Sequence, residues 1–130
     1  MLLAVIFINI LDTNAQELPK DGAIITIEDK KLILTADEPL TAELTLLKSK
    51  RYKKANFGGL STRVPEGITA EFVQDEEKLG LYHLTLTADE SITNDSFTLI
   101  IKGEGKNAHK VRGLAVTVTT TISQIAVSNN

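Results

Sequence analysis

The chain has 130 residues, 42% of them apolar and 24% charged, with a net charge of −3 and no cysteine. That is one domain's length with ordinary globular composition, which excludes a disordered chain, a disulfide framework and a thiolate metal site. The small negative charge leaves no electrostatic footprint for nucleic acid, and no nucleic-acid partner is expected.

The chain opens on Leu2–Leu11, an apolar run of ten (LLAVIFINIL). Ten residues are too few to cross a bilayer as a helix, so no stable membrane span is expected. Polar DTNAQ follows, with Thr13 and Ala15 at small-x-small spacing. This pattern predicts a secretory signal over 1–15, cleaved ahead of Gln16, and a single domain over 16–130. No Lys or Arg precedes the apolar run, so the α-amine alone supplies the positive charge. An exported chain without cysteine fits a secreted, periplasmic or cell-surface location in a bacterial envelope.

From Gly22 onward the apolar period is two. Tyr82, Leu84, Leu86 and Ala88 share one face, with His83, Thr85 and Thr87 on the other. Phe97, Leu99 and Ile101 alternate with Ser96, Thr98 and Lys102, and Leu114, Val116 and Val118 alternate with Ala115, Thr117 and Thr119. Alternation rich in β-branched residues marks half-buried strands. Turn signals cut the run into strands at 23–36 (kinked at Asp29-Lys30-Lys31), 40–48, 55–64, 68–74, 81–88, 96–103 and 109–120. Pro65-Glu66-Gly67 has its Pro and Gly placed for a tight turn, while Gly58-Gly59 and Gly113 sit where the parity slips, as bulges or bends require. About seven short strands without helical periodicity predict an all-β fold, a Greek-key sandwich of two sheets.

One heptad is nearly written twice: LILTADE from Leu32 to Glu38 and LTLTADE from Leu84 to Glu90, 52 positions apart. In a seven-strand sandwich the chain shuttles end to end, so both copies fall at the same end. That end collects Asp37, Glu38, Glu66, Asp89, Glu90 and Asp95 against Arg63. The simplest reading of the echo is a corner used twice, where a small residue stops one strand and a Thr starts the next. The sharper reading is a Ca²⁺ site with Asp37, Asp89, Glu90 and Asp95 as ligands, since a hard cation takes six to eight oxygens. The spacing of an EF-hand loop is missing. The opposite end receives Lys48, Lys50, Arg51, Lys53, Lys54, Lys106 and Lys110, partly offset by Asp75, Glu76 and Glu77. There Lys50, Arg51, Tyr52, Lys53 and Lys54 form the candidate binding cluster. Its charge suits an anionic polysaccharide, and Tyr52 is the one aromatic expected to stand exposed for stacking on a sugar.

Catalytic chemistry finds little to use. His83 and His109 are the only histidines, and neither a nucleophile elbow, a zinc-binding histidine pair nor a phosphate loop is written. Gly103-Glu104-Gly105-Lys106-Asn107-Ala108 fits a dinucleotide fingerprint, but the strand-like HKVRGLAVTV follows where that fingerprint needs a helix. No catalytic residue is assigned, and no cofactor beyond Ca²⁺ is considered.

Val64-Pro65-Glu66-Gly67-Ile68-Thr69-Ala70-Glu71-Phe72 and Ser96-Phe97-Thr98-Leu99-Ile100-Ile101-Lys102-Gly103 carry a resemblance. They are similar to runs in the bacterial immunoglobulin-like domains of secreted enzymes and surface proteins. The likeness covers 57–121 well and 31–48 loosely. It departs at Phe97, which stands where the family has a Tyr, so a tyrosine-corner hydroxyl bond is lost. The resemblance implies an immunoglobulin-like sandwich and an exported setting, and it carries over no catalytic residue. Pattern and resemblance together predict a non-catalytic structural, docking or assembly domain whose partner is another protein or a neighbouring domain. The alternative is a carbohydrate- or surface-binding adhesive module.

Overall fold

The computed structural model describes residues 18–122; the expected signal over 1–15 lies outside the described residues. Those residues form nine strands: β1 (Ala23–Ile27), β2 (Lys31–Thr35), β3 (Leu40–Lys48), β4 (Leu60–Thr62), β5 (Ile68–Gln74), β6 (Leu81–Ala88), β7 (Asp95–Gly103), β8 (Val111–Arg112) and β9 (Leu114–Thr121). Two short 3₁₀ turns, Lys50–Tyr52 and Ala108–Lys110, are the described helical pieces. The fold is all-β, with two sheets of mixed strand direction. The first has the order β5-β6-β3-β1-β8 and the second β2-β9-β7-β4.

The strands expected at 40–48, 68–74 and 81–88 form with those bounds, and that expected at 96–103 gains Asp95. Three others differ, each for a local reason. The kink expected inside 23–36 is a change of sheet. Asp29 Oδ1 accepts the Lys31 N–H at 2.9 Å, a side-chain turn that ends β1. Thr117 N–H then donates to the Lys30 carbonyl at 2.8 Å and hands the chain to the second sheet. β1 thus runs antiparallel to β3, while β2 runs parallel to β9. The strand expected at 109–120 divides likewise at Gly113. β8 pairs parallel with β1, and β9 pairs antiparallel with β7 in the other sheet. The strand expected at 55–64 shortens to β4. The turn at Lys50–Tyr52 and an Asn56 Oδ1 bond from the Gly58 N–H (2.8 Å) spend the preceding residues on loop. Gly58 itself has φ +75, and a Cβ there would meet the Glu104 carbonyl oxygen at 2.3 Å.

Period two then decides burial. Ala23, Ile25, Leu44, Leu46, Tyr82, Leu84, Leu86 and Ile68 face inward from the first sheet. Leu34, Leu99, Ile101, Val116, Val118 and Leu60 face them from the second, in one continuous core. Phe57, on the loop before β4, fills the end of that core at 2% exposure. Fully burying a side chain of this size is worth about 1.5–3 kcal/mol relative to leaving it in water. Leu84 sits mid-strand with β3 on one side and β5 on the other and has no exposed surface. Leu84→Ala removes its atoms and leaves a cavity the flanking strands cannot close, so a loss of about 2–5 kcal/mol is expected in equilibrium denaturation. Thr87→Ala on the opposite, partly exposed face of the same strand is the control, with an expected change within about 0.5 kcal/mol.

Candidate functional site

The two ends of the sandwich are where the loops place chemistry. At one end the TADE repeats touch. The Asp37 N–H donates to the Ala88 carbonyl at 3.1 Å, and the Asp89 N–H to the Gly67 carbonyl at 2.9 Å, so the three corners 36–39, 65–67 and 88–92 knit together. Ala36 and Ala88 are both buried, as stops between strand and corner need. Asp37 adopts φ 64, a left-handed conformation that a short polar side chain tolerates better than most. Asp89 Oδ1 accepts both the N–H (2.8 Å) and the hydroxyl of Ser91. These bonds, the hydroxyl first, hold its carboxyl below the usual carboxylate range. Asp95 Oδ1 accepts the Ser96 N–H at 2.7 Å.

The topology therefore brings Asp37, Asp89, Glu90 and Asp95 to one end, as the shuttle argument expects. It does not gather them into a cage: among the described residues no three His, Cys, Asp or Glu side chains are grouped to hold a metal ion. Two of the four expected ligands spend an oxygen on N–H groups of their own corners.

At the other end the cations divide by task. Lys48 Nζ donates to the Ala55 carbonyl at 2.7 Å and lies 5.7 Å from the Phe57 ring centre. Lys110 Nζ reaches Asp21 at 3.3 Å and stands 5.8 Å from the Tyr52 ring. The Asp21 carboxylate is the main reason the Lys110 ammonium titrates above its ordinary range. Both cations hold the loop in place. Lys50, Arg51, Lys53 and Lys54 remain exposed around the 3₁₀ turn.

Tyr52 corrects the sequence reading. It is half-buried against the core, with its ring 5.9 Å from that of Phe57 at 54°, and Arg51 and Lys110 each lie within 6 Å of it. A ring so placed acts as a wedge under the loop. Tyr82, assigned to the core by its parity, also supplies a tether that parity does not show: its hydroxyl donates to the Gly58 carbonyl at 3.1 Å. Burial pushes that phenol's titration up.

The hairpin between β5 and β6 lies beside this end. His83 Nε2 meets Asp75 Oδ1 at 2.8 Å, and Asp75 Oδ2 accepts the N–H groups of Glu77 (3.0 Å) and Lys78 (2.8 Å). The His83 bond is the largest cause, with the two backbone bonds next, holding the Asp75 carboxyl at about 2 against an ordinary 3.8. Alternation alone puts His83 on the outer face of its strand and Asp75 among the offsetting charges of the loop before it. Their eight-residue separation gives no pairing signal until the hairpin closes.

Comparison with known proteins rests on the fold. No family model matches the sequence, and no curated protein does. Among solved structures, domains 4 and 5 of the S-layer protein SbsC match with 18% identity and a TM-score of 0.51. That match covers 75% of this chain and 50% of theirs. Domains 1–6 of the surface layer protein SbsC match at 18% identity and TM-score 0.53, over 76% of this chain and 13% of theirs. Chitinase ChiW from Paenibacillus sp. strain FPU-7, a bacterial cell-surface-expressed multi-modular enzyme, matches at 10% identity and TM-score 0.51. There the cover is 82% of this chain and 14% of the chitinase. At such identities the likeness is one of fold, and this chain spans half or less of each of those structures. Among the described residues no helix is long and apolar enough to cross a membrane.

Because the folded pKa of Asp75 lies below its unfolded value, its contribution to stability is present above about pH 4 and is lost as pH falls towards about 2. Asp75→Asn lacks that titration. The stability gap between the wild-type chain and Asp75→Asn should therefore narrow over that interval in urea titrations at stepped pH. A gap that stays constant from about pH 4 to about pH 2 contradicts the assignment.

Proposed function

We propose that this chain is a non-catalytic exported module with an immunoglobulin-like Greek-key arrangement, docking through its two ends to neighbouring modules or envelope components. The observation that carries the reading is the geometry of entry and exit. The described chain enters at the cationic end, where Gly22 accepts the Ser49 N–H and Asp21 meets Lys110. It leaves at the anionic end, where the Ile122 N–H donates to Asn94 Oδ1 at 3.0 Å. A module so built presents opposite charge to whatever lies before and after it, which favours one orientation of contact over the reverse.

Support for the immunoglobulin-like arrangement comes from the two strand orders. The first strand is shared between a sheet containing β3, β5 and β6 and a sheet containing β4, β7 and β9, with β2 parallel to the last strand. Support for a surface setting comes from the apolar leader in the sequence and from fold likeness to S-layer domains and a cell-surface chitinase. The four exposed cations Lys50, Arg51, Lys53 and Lys54 are the docking groups of the entry end. Without a free aromatic beside them they suit an anionic protein or polymer surface better than a stacked sugar ring.

The test is fractionation of cells making the full chain with a C-terminal tag. The wild-type chain should be recovered outside the cytoplasm, retained by the envelope and released as salt rises, because exposed charge pairs are screened over a Debye length of about 10 Å at 0.1 M. Reversal of Lys50, Arg51, Lys53 and Lys54 to Glu should shift the chain to the soluble exported fraction. Cytoplasmic recovery, or retention unchanged by the reversal, contradicts the reading.

A further inference from the structure

The most exposed large apolar side chain among the described residues is Leu79, at 92%. It stands at the tip of the β5–β6 hairpin, and the tip is built, not slack. Asp75 Oδ2 accepts two backbone N–H groups of the loop, and the Asp75 N–H donates to the Leu81 carbonyl at 2.8 Å. The Leu46 N–H of β3 donates to the Gly80 carbonyl at 2.7 Å. Gly80 has φ +84, and a Cβ there would meet the Leu46 carbonyl oxygen at 2.9 Å. The loop thus holds Leu79 out in water between fixed supports, an apolar side chain presented on a pre-ordered tip. Around it Asp75, Glu76 and Glu77 outnumber Lys78.

The same chain carries an open apolar groove elsewhere. β4 covers only Ile101–Gly103 of β7, so among the described residues no strand pairs with the first half of β7 on that side. Along the free edge runs a groove of about 690 Å³, its lining including Val64, Pro65, Phe97 and Ile100, with Arg63 and Lys102 as its charged residues. Ile100 is 44% exposed there, and Phe97 is only half-buried. The Glu104 N–H donates to the Gly59 carbonyl across β4 and β7. Even-numbered residues of β7 therefore direct their backbone groups towards this edge, and those of Thr98 lie beyond the end of β4. An apolar floor, two cations and a free strand edge complement an apolar tip, three carboxylates and a tight hairpin.

We propose that Leu79 of one copy seats in the β7-edge groove of a second copy, with Glu76 and Glu77 facing Arg63 and Lys102. Tip and groove are different surfaces, so the contact is head-to-tail: each copy offers one tip and one groove, and repetition builds an open chain. The contact uses none of Lys50, Arg51, Lys53 and Lys54, so the charge reversal that tests docking through the entry end leaves it intact.

Sedimentation velocity of the purified full-length protein over a concentration series tests this, with three samples beside the wild type. Leu79→Ser removes the tip, and the double variant Arg63→Glu, Lys102→Glu spoils the groove. All three positions are exposed, so both proteins should fold. The wild type should pass beyond dimer as concentration rises. Each variant alone should stay monomeric, its association constant lowered about tenfold or more, as for a central interface residue. A 1:1 mixture of the two variants should form a dimer and stop there, because one intact tip meets one intact groove and no further contact remains. That rescue separates a lost contact from a lost fold. A wild type that is monomeric throughout, a Leu79→Ser protein that associates like the wild type, or a mixture that stays monomeric overturns the proposal.

Discussion

The packing of two inner faces against each other is the interaction on which the rest of this fold depends. Among the described residues neither sheet has a second apolar partner. Leu44, Leu46, Leu84 and Leu86 on one side and Leu34, Leu99, Val116 and Val118 on the other leave water only by meeting. Once they meet, strand length fixes the distance between the two ends, and the turns have nowhere to go but those ends. The segregation of charge follows from this. TADE corners lie together because two strands ending in a small residue stop at the same level of the core. The loop after β3 is cationic at the other end, where Phe57 and Tyr52 pin it down while Lys48 and Lys110 tie it to backbone and carboxylate.

Strand positions were legible wherever alternation ran unbroken between turn residues. β3, β5 and β6 are such cases, and Tyr82, Leu84 and Leu86 point inward as their parity requires. Sheet membership was not legible. The apolar period continues across Asp29 and across Gly113 with little disturbance, and a local bend carries no mark of which partner strand the chain meets next. That information lies in long-range pairing, β2 with β9 and β1 with β8, which a local pattern does not encode. β4 is shorter than the pattern predicts because apolar Ala55, Phe57 and Leu60 read as a strand, while Asn56 and Gly58 turn the chain between them.

The candidate site divides along the same line. Which end each charge occupies was readable from strand count alone. What each charge does there was not. Tyr52 sits among five cations in sequence and looked solvent-facing, yet the 3₁₀ turn lays its ring against Phe57. Asp37 and Asp89 share an end, but Asp89 Oδ1 is turned to the Ser91 N–H of its own corner, which no spacing in the sequence announces. Leu79 is one apolar residue in a charged loop, with nothing in the local pattern to single it out, and the groove beside Phe97 exists only because β4 ends at Thr62. Features made by an early strand end or a change of sheet are products of topology, which a local pattern does not encode.

If the two inner faces form a single core, the sheets cannot open independently. Native-state amide hydrogen exchange read by NMR tests that directly. The slowest amides should come from β3 and β6 of one sheet and from β7 and β9 of the other, and all should share one opening free energy equal to that of global unfolding. Within β7, Thr98, whose N–H faces the free edge, should exchange far faster than Leu99, whose N–H faces β9. Protection confined to one sheet, with the other exchanging through a cheaper opening of its own, would contradict the account.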